Sequence, residues 1–188
     1  MEIQDILNDI MIQKYVNDEM FASFYERINE LLDKNNIMDD DAGELIGSIT
    51  QLLIKSSIDP LKNLTIIPWS FLWDAKDIEN IDLTKYGDIK FSEYGWQFAG
   101  SGLKKLIIPH SIKYIPEGFC CECLDLEEII LPATITAIQD EAITYCENLE
   151  KIIFQGTIYQ WENGMYRGGW ISKDMHFTII CSDGVIEV

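Results

Sequence analysis

The sequence is short of basic residues and contains very little histidine. Its 188 residues include 14 Lys and Arg against 32 Asp and Glu, only two histidines, and a formal net charge of −18. A protein that binds nucleic acid needs a basic footprint for the phosphates, so this balance argues against direct binding of nucleic acid. The acidic charge is explained by solubility, and it permits a protein partner with a basic surface.

Long hydrophobic runs are also absent. No stretch of about 18 apolar residues occurs, so the sequence predicts no membrane-spanning helix and no membrane partner. The first residues, Met-Glu-Ile-Gln-Asp, have neither the basic segment nor the apolar run of a signal peptide. We therefore expect a cytoplasmic protein if the N-terminus is native. A secreted or surface protein whose leader had been removed would have the same sequence.

Signals for catalysis and for cofactors are missing. His110 and His176 have no nucleophile motif such as Gly-x-Ser-x-Gly nearby, and no glycine-rich phosphate loop joins a strand to a helix. The cluster Cys120-Cys-Glu-Cys123 could suggest a metal site with His110. It lacks the second pair of ligands that structural zinc sites commonly have. The sequence therefore predicts a non-enzymatic protein with no cofactor and no metal.

Proline is absent from residues 1–57, and all five prolines lie beyond them. Apolar residues in this segment recur at i, i+3 and i+4, which predicts two or three amphipathic helices over about 3–16, 18–33 and 40–55. The segment has 12 acidic and 4 basic residues. Its outer face could contact a basic partner through Asp18, Glu19, Glu26, Glu30 and Asp33.

The rest of the sequence contains a repeat of 23 residues. Residues 103–125 and 126–148 are two copies, and a third begins at Leu149. The aligned pairs are Leu103/Leu126, Leu106/Ile129, Ile108/Leu131, Pro109/Pro132, Ile112/Ile135, Ile115/Ile138 and Cys123/Cys146. A fixed period of this length is typical of a solenoid, in which stacked coils share one core. Cys123 and Cys146 should then stack as buried thiols, and a disulfide between them would need an oxidising compartment.

This pattern resembles the BspA-type leucine-rich repeat of bacteria and some protists. That repeat reads Leu-x-x-Ile-x-Leu-Pro, then x-x-Ile-x-x-Ile, then Ala-Phe-x-x-Cys-x-x-Leu. The second copy ends with Ala142-Ile-Thr-Tyr-Cys-Glu-Asn-Leu149, whereas the first has Gly118-Phe119 at the Ala-Phe position. The resemblance implies a right-handed solenoid of short parallel strands, which serves as a scaffold for recognition and brings no catalytic residues.

The remaining segments complete an α+β organisation: a helical module at 1–57, repeats at 58–155 and a capping segment at 156–188. Strands are expected near 64, 81, 105, 128 and 151, with Leu61–Pro68 and Ile78–Leu83 as degenerate repeat starts. Trp69, Trp73 and Trp96 are expected to fill the wider interior of these irregular coils. In the family, a segment similar to Gly156-Thr-Ile-Tyr-Gln-Trp161 and Cys181-Ser-Asp-Gly184 closes the solenoid. Phe177–Cys181 is expected to be the final strand.

The outward face of the predicted strands is the candidate binding site. Alternation along each strand points two residues per copy outward, namely Lys105 and Ile107, Glu128 and Ile130, and Lys151 and Ile153. An apolar row on a solvent face requires an explanation. A partner protein could bind it, the N-terminal helices could pack on it, or a homodimer could cover it.

Two functions follow from these observations. The first is a non-enzymatic protein–protein interaction module that binds through the strand face, the acidic helices, or both. The second is an acidic phage-type inhibitor of the anti-CRISPR kind, which would mimic nucleic acid and block a host nucleic-acid-binding enzyme. Contacts of the second kind would be sensitive to salt.

Overall fold

The computed structural model describes residues 43, 46–48, 50–51, 59, 61, 64–92, 95–167 and 169–188. These residues form a β-solenoid of about 5 turns, each of which is called a coil below. Residues 100–155 contain short strands and turns and no helix, as the repeat predicts. In the part of the chain described, no helix is long and apolar enough to cross a membrane.

The main sheet has six strands: β2 (Asn80–Asp82), β4 (Lys105–Ile107), β6 (Glu128–Leu131), β8 (Lys151–Phe154), β10 (Thr178–Cys181) and β11 (Gly184–Glu187). Their order across the sheet is β11-β10-β8-β6-β4-β2. The first five are parallel, and β11 turns back antiparallel to β10. The strands predicted near 81, 105, 128 and 151 are confirmed.

A second side of the coils holds shorter strands. β5 (Tyr114–Ile115), β7 (Ala137–Ile138) and β9 (Tyr166–Arg167) form one sheet, and β1 (Ile66–Ile67) pairs with β3 (Lys90–Phe91). The short parallel strand predicted near 64 is present as β1, but it pairs with β3 and does not join the main sheet. An apolar residue followed by proline occurs on two sides of a coil, at the strand of the main sheet and at the shorter strand. Ile67-Pro68 is equivalent to Ile115-Pro116, on the side of the shorter strands.

The third side of four successive coils is a turn with two residues in the left-handed conformation, four positions apart. These pairs are Ser70 and Asp74, Trp96 and Gly100, Gly118 and Glu122, and Glu141 and Tyr145. Backbone bonds join the turns, and Cys120 N–H donates to the Ala142 carbonyl at 2.8 Å. This register matches Phe119-Cys120 with Ala142-Ile143. The prediction that Gly118-Phe119 occupies the Ala-Phe position of the repeat was therefore wrong by one residue.

A column of side chains runs through the core beside this turn. Cys123 Sγ donates to the Phe98 carbonyl and Cys146 Sγ to the Cys120 carbonyl, both at 3.0 Å. All five cysteines of the chain are buried and free. The prediction that Cys123 and Cys146 stack as buried thiols on neighbouring coils is confirmed.

The first coil contacts a short stretch of helix. Residues 43, 46–48 and 50–51 are helical, and the rest of the predicted helical module lies outside the described residues. Gly43 and Gly47 lie one helical turn apart and face the turn that contains Ser70 and Trp73. A Cβ atom at Gly47 would lie 2.2 Å from the Trp73 carbonyl oxygen, so the helix approaches the coil backbone to backbone.

The tryptophans of the irregular coils only partly match their predicted role. Trp69 packs partly against the core. Trp73 and Trp96 instead stack on each other at the turn side, with ring centroids 5.9 Å apart, and both remain half-buried. Gly118 has a positive φ and lies against the Trp96 indole, where an added Cβ would come within 2.4 Å of the ring. The expectation that Trp73 and Trp96 fill the interior was wrong.

The cap closes the other end of the solenoid. Helix α1 (Ile158–Asn163) begins with a capping box formed by Thr157 and Gln160. Its first N–H, from Ile158, donates to Asp183 Oδ1 at 2.7 Å and so joins α1 to the β10–β11 turn. Edge-to-face aromatic contacts run from the last coil into the cap through Phe154, Trp161, Trp170 and Phe177. The strand at Thr178–Cys181 matches the prediction, but β11 follows it and is the final strand.

Candidate protein-binding face

Two rows of side chains cross the outward face of the main sheet. The charged row consists of Lys105, Glu128, Lys151, Thr178 and Glu187, which lie opposite one another on successive strands. The apolar row consists of Ile107, Ile130, Ile153, Ile180 and Val185. The structure thus brings together the six residues of this face that the sequence predicts.

The rows face outward because of the pleat of the strands. In β6 and β8 buried residues alternate with half-buried ones, and the inward Ile129 and Ile152 are fully buried. Ile130 and Ile153, their neighbours in the sequence, keep part of their surface exposed. Successive strands lie about 4.8 Å apart, so each row forms a nearly continuous strip.

Ion pairs fix the charged row. Lys105 Nζ lies 2.6 Å from Glu128 Oε1, and Lys151 Nζ lies 2.8 Å from Glu128 Oε2. The two hydrogen bonds from these lysines lower the pKa of the Glu128 carboxyl. The expectation that opposite charges neighbour each other on adjacent strands is confirmed. This row presents both signs of charge rather than the uniform negative charge of a nucleic-acid mimic.

The apolar row is longer than the sequence indicated. Asp82 ends it on β2, whereas Ile180 and Val185 extend it across the cap. Val185 is 56% exposed. The repeat gave no signal for these two residues, because the segment between β8 and β10 does not follow the 23-residue period. Alternation within Thr178–Cys181 was the one signal that could have identified Ile180.

The acidic residues predicted as a second contact surface lie outside the described residues. They are Asp18, Glu19, Glu26, Glu30 and Asp33. The helical residues that the structure does describe contact Ser70 and Trp73 at the turn side of the first coil. That position is away from the strand face, so this part of the helical segment does not cover the apolar row.

An open cleft of about 400 Å³ lies on the turn side. Its lining includes Trp73, Asp74, Trp96, Glu122 and Tyr145. One face of the Trp96 ring stacks on Trp73 and the other lies against Gly118. Contacts within the protein therefore already cover part of this indole beside the cleft.

Two of the buried thiols, Cys120 and Cys146, are poorly suited to chemistry. Burial raises the pKa of Cys120 and Cys146 well above the ordinary value of 9.0. Both thiols are therefore protonated at neutral pH, and a protonated thiol is a poor nucleophile and a poor metal ligand. Among the described residues, no group of three or more His, Cys, Asp or Glu side chains could hold a metal ion.

Comparison with protein-family models identifies a family. A family model described as "BspA type Leucine rich repeat region (6 copies)" matches residues 50–173. This range contains the strands β1 to β9 and ends before the β10–β11 hairpin. No curated protein and no solved structure matches the chain.

Proposed function

The chain belongs to the BspA-type leucine-rich-repeat family, and from this premise we propose that it is a non-enzymatic module that binds another protein through its strand face. The apolar row carries the proposal. Five β-branched side chains in line on an outward face form a strip that a partner can bury. The fixed charges of the neighbouring row would orient that partner, because complementary charges select partners and set the register of contact.

The chain offers a matched pair of positions for testing this face. Ile129 and Ile130 are neighbours on β6, and Ile129 is fully buried whereas Ile130 faces outward. We expect Ile130→Asp to leave the melting temperature nearly unchanged and to abolish binding, because it forces a charge into an apolar interface. Ile129→Ala should cost about 2–5 kcal/mol of stability.

Thermal unfolding and capture of the partner from extracts of the source organism measure the two effects separately. Ile130→Thr keeps a β-branched side chain and serves as a milder variant if the aspartate disturbs the strand. If Ile130→Asp destabilises the isolated protein as much as Ile129→Ala does, another part of the chain covers the face. The binding site would then move to the acidic residues between Asp18 and Asp33.

The acidic-inhibitor hypothesis makes a different prediction for the same variants. A mimic of nucleic acid would bind a basic groove, lose affinity steeply with added salt and tolerate Ile130→Asp. No loss of either stability or binding in Ile130→Asp would favour that function. A cytoplasmic location stays a proposal, and cell fractionation of the source organism tests it.

A further inference from the structure

The main sheet ends in an open edge at β11. On one side β11 pairs with β10, and Ile180 lies opposite Val185 and Thr178 opposite Glu187. On its other side β11 is the outermost of the strands that the structure describes. An unpaired strand edge is a template on which another chain can form a strand.

The hydrogen-bond pattern shows which peptide groups of β11 face outward. Val188 N–H donates to the Phe177 carbonyl at 3.1 Å. Bonded and non-bonded pairs alternate along an antiparallel ladder, so Ile186 also bonds to β10. The peptide groups of Val185 and Glu187 therefore point away from β10. A new strand could bond to these two residues without disturbing any bond within the hairpin.

The side chains at this edge extend both rows of the strand face. Val185 continues the apolar row after Ile180, and Glu187 accepts a hydrogen bond from Thr178 Oγ1 at 3.2 Å in the charged row. Further along that row, lysines and a glutamate alternate and pair. A lysine or arginine opposite Glu187 would continue this alternation, since opposite charges on adjacent strands stabilise a sheet.

The charge of the edge also decides between a foreign segment and a second copy of the chain. Antiparallel pairing of two β11 strands through their outward peptide groups would set Glu187 opposite a valine or an acidic residue of the other copy. Each copy also carries a net charge of −18. Asp183 and Glu162 lie near this end of the sheet, where burial and then the charges of these two carboxylates raise the pKa of Cys181. A basic segment is therefore the better complement.

We propose that β11 accepts an extended segment of a partner protein as an additional antiparallel strand, with Lys or Arg opposite Glu187 and a β-branched apolar residue opposite Val185. The backbone of the segment would bond to the outward peptide groups, and its side chains would extend the two rows. This contact rests on the proposed function only in that the ligand is a protein segment.

A capped peptide, Thr-Lys-Thr-Val-Thr, tests the edge directly on the full chain. In the antiparallel register its lysine lies opposite Glu187 and its valine opposite Val185. We expect the NMR amide signals of these two residues to shift as the peptide is added. The matched peptide Thr-Glu-Thr-Val-Thr should bind about fivefold more weakly or worse. Glu187→Lys should reverse the preference between the two peptides.

A variant that changes the backbone of β11 distinguishes strand addition from nonspecific electrostatic binding of the lysine peptide to an acidic protein. Val185→Pro removes an outward N–H that does not bond to β10, and it should abolish binding of the lysine peptide. Val185→Thr keeps that N–H and should retain binding. Peptide-induced shifts that avoid β11, or a preference that Glu187→Lys does not change, would overturn the proposal.

Light scattering tests whether a second copy of the chain occupies the edge of β11. A concentration-dependent dimer that Val185→Pro abolishes would show that a second copy occupies the edge, and it would also overturn the proposal. The result for Ile130→Asp is independent of these tests. If Ile130→Asp keeps its partner while the peptide still binds at β11, the strand-face function fails and the edge proposal stands.

Discussion

At the scale of single residues, the cysteines show how burial changes chemistry. Burial is the largest cause of the raised pKa values of Cys120, Cys121, Cys146 and Cys181. A thiol that stays protonated when folded but ionises when unfolded stabilises the fold fully below its unfolded pKa. That stability is lost as the pH rises above about 9 towards the folded pKa.

We therefore expect the protein to lose stability between about pH 8 and pH 10, by up to about 1.4 kcal/mol per pH unit for each of Cys120 and Cys146, the most deeply buried of these thiols. Cys123 acts in the opposite sense, because its hydrogen bond with Cys120 lowers its pKa. Denaturant unfolding across this range measures the effect. Cys146→Ser should reduce the slope, because a serine does not titrate there. Ser101 Oγ already lies 3.4 Å from Cys123 Sγ, so a hydroxyl fits this column. A thiol reagent should label no cysteine in the native protein and all five after unfolding.

Rapid labelling of the native protein would contradict this account. So would a slope that Cys146→Ser leaves unchanged. Tyr86 adds a loss of the same sign only near pH 10 and above, where the unfolded tyrosine ionises while burial and the neighbouring Asp59 hold the folded pKa at about 12.

At the scale of elements, regular repeats could be predicted and irregular coils could not. The period of 23 residues correctly placed β4, β6 and β8, because equivalent positions in stacked coils need the same inward residues. The same reasoning misplaced Ile67-Pro68, since an apolar residue before proline marks two different sides of a coil. It could not detect β11, whose register comes from the turn at Ser182-Asp183 and from contact with α1.

The contact between the helical residues and the first coil gives a sharp prediction at this scale. Gly47→Ala would place a Cβ 2.2 Å from the Trp73 carbonyl oxygen, so helix and coil must separate. We expect a loss of about 1–3 kcal/mol in the free energy of unfolding, as for other overpacked sites. Ser48→Ala is the control, since Ser48 is exposed on the same helical stretch. Equal stability of the two variants would mean that this helix does not pack on the coil.

At the scale of the whole molecule, the solenoid depends on its two ends. Each coil buries its apolar faces against neighbours, so the last coil needs a closing element. The cap closes the last coil with two elements, a helix and a strand. Trp161 packs on Phe154 and closes the core, and β10 pairs with the edge of β8. The hydrogen bond between Ile158 and Asp183 links helix α1, which carries Trp161, to the turn between β10 and β11.

Trp161→Ala therefore tests whether the cap supports the whole solenoid. Trp161 is 2% exposed and contacts both Phe154 and Trp170. Its removal should cost about 3–5 kcal/mol, because it leaves a large cavity between the last coil and the cap. Tyr159→Ala on the exposed side of α1 should cost little, since Tyr159 is 74% exposed.

Calorimetry of both variants separates two outcomes. One cooperative transition that moves to lower temperature means that the cap and the coils unfold together. A new early transition with the main one unchanged would mean that the cap is an appendage, and that the coils stand without it.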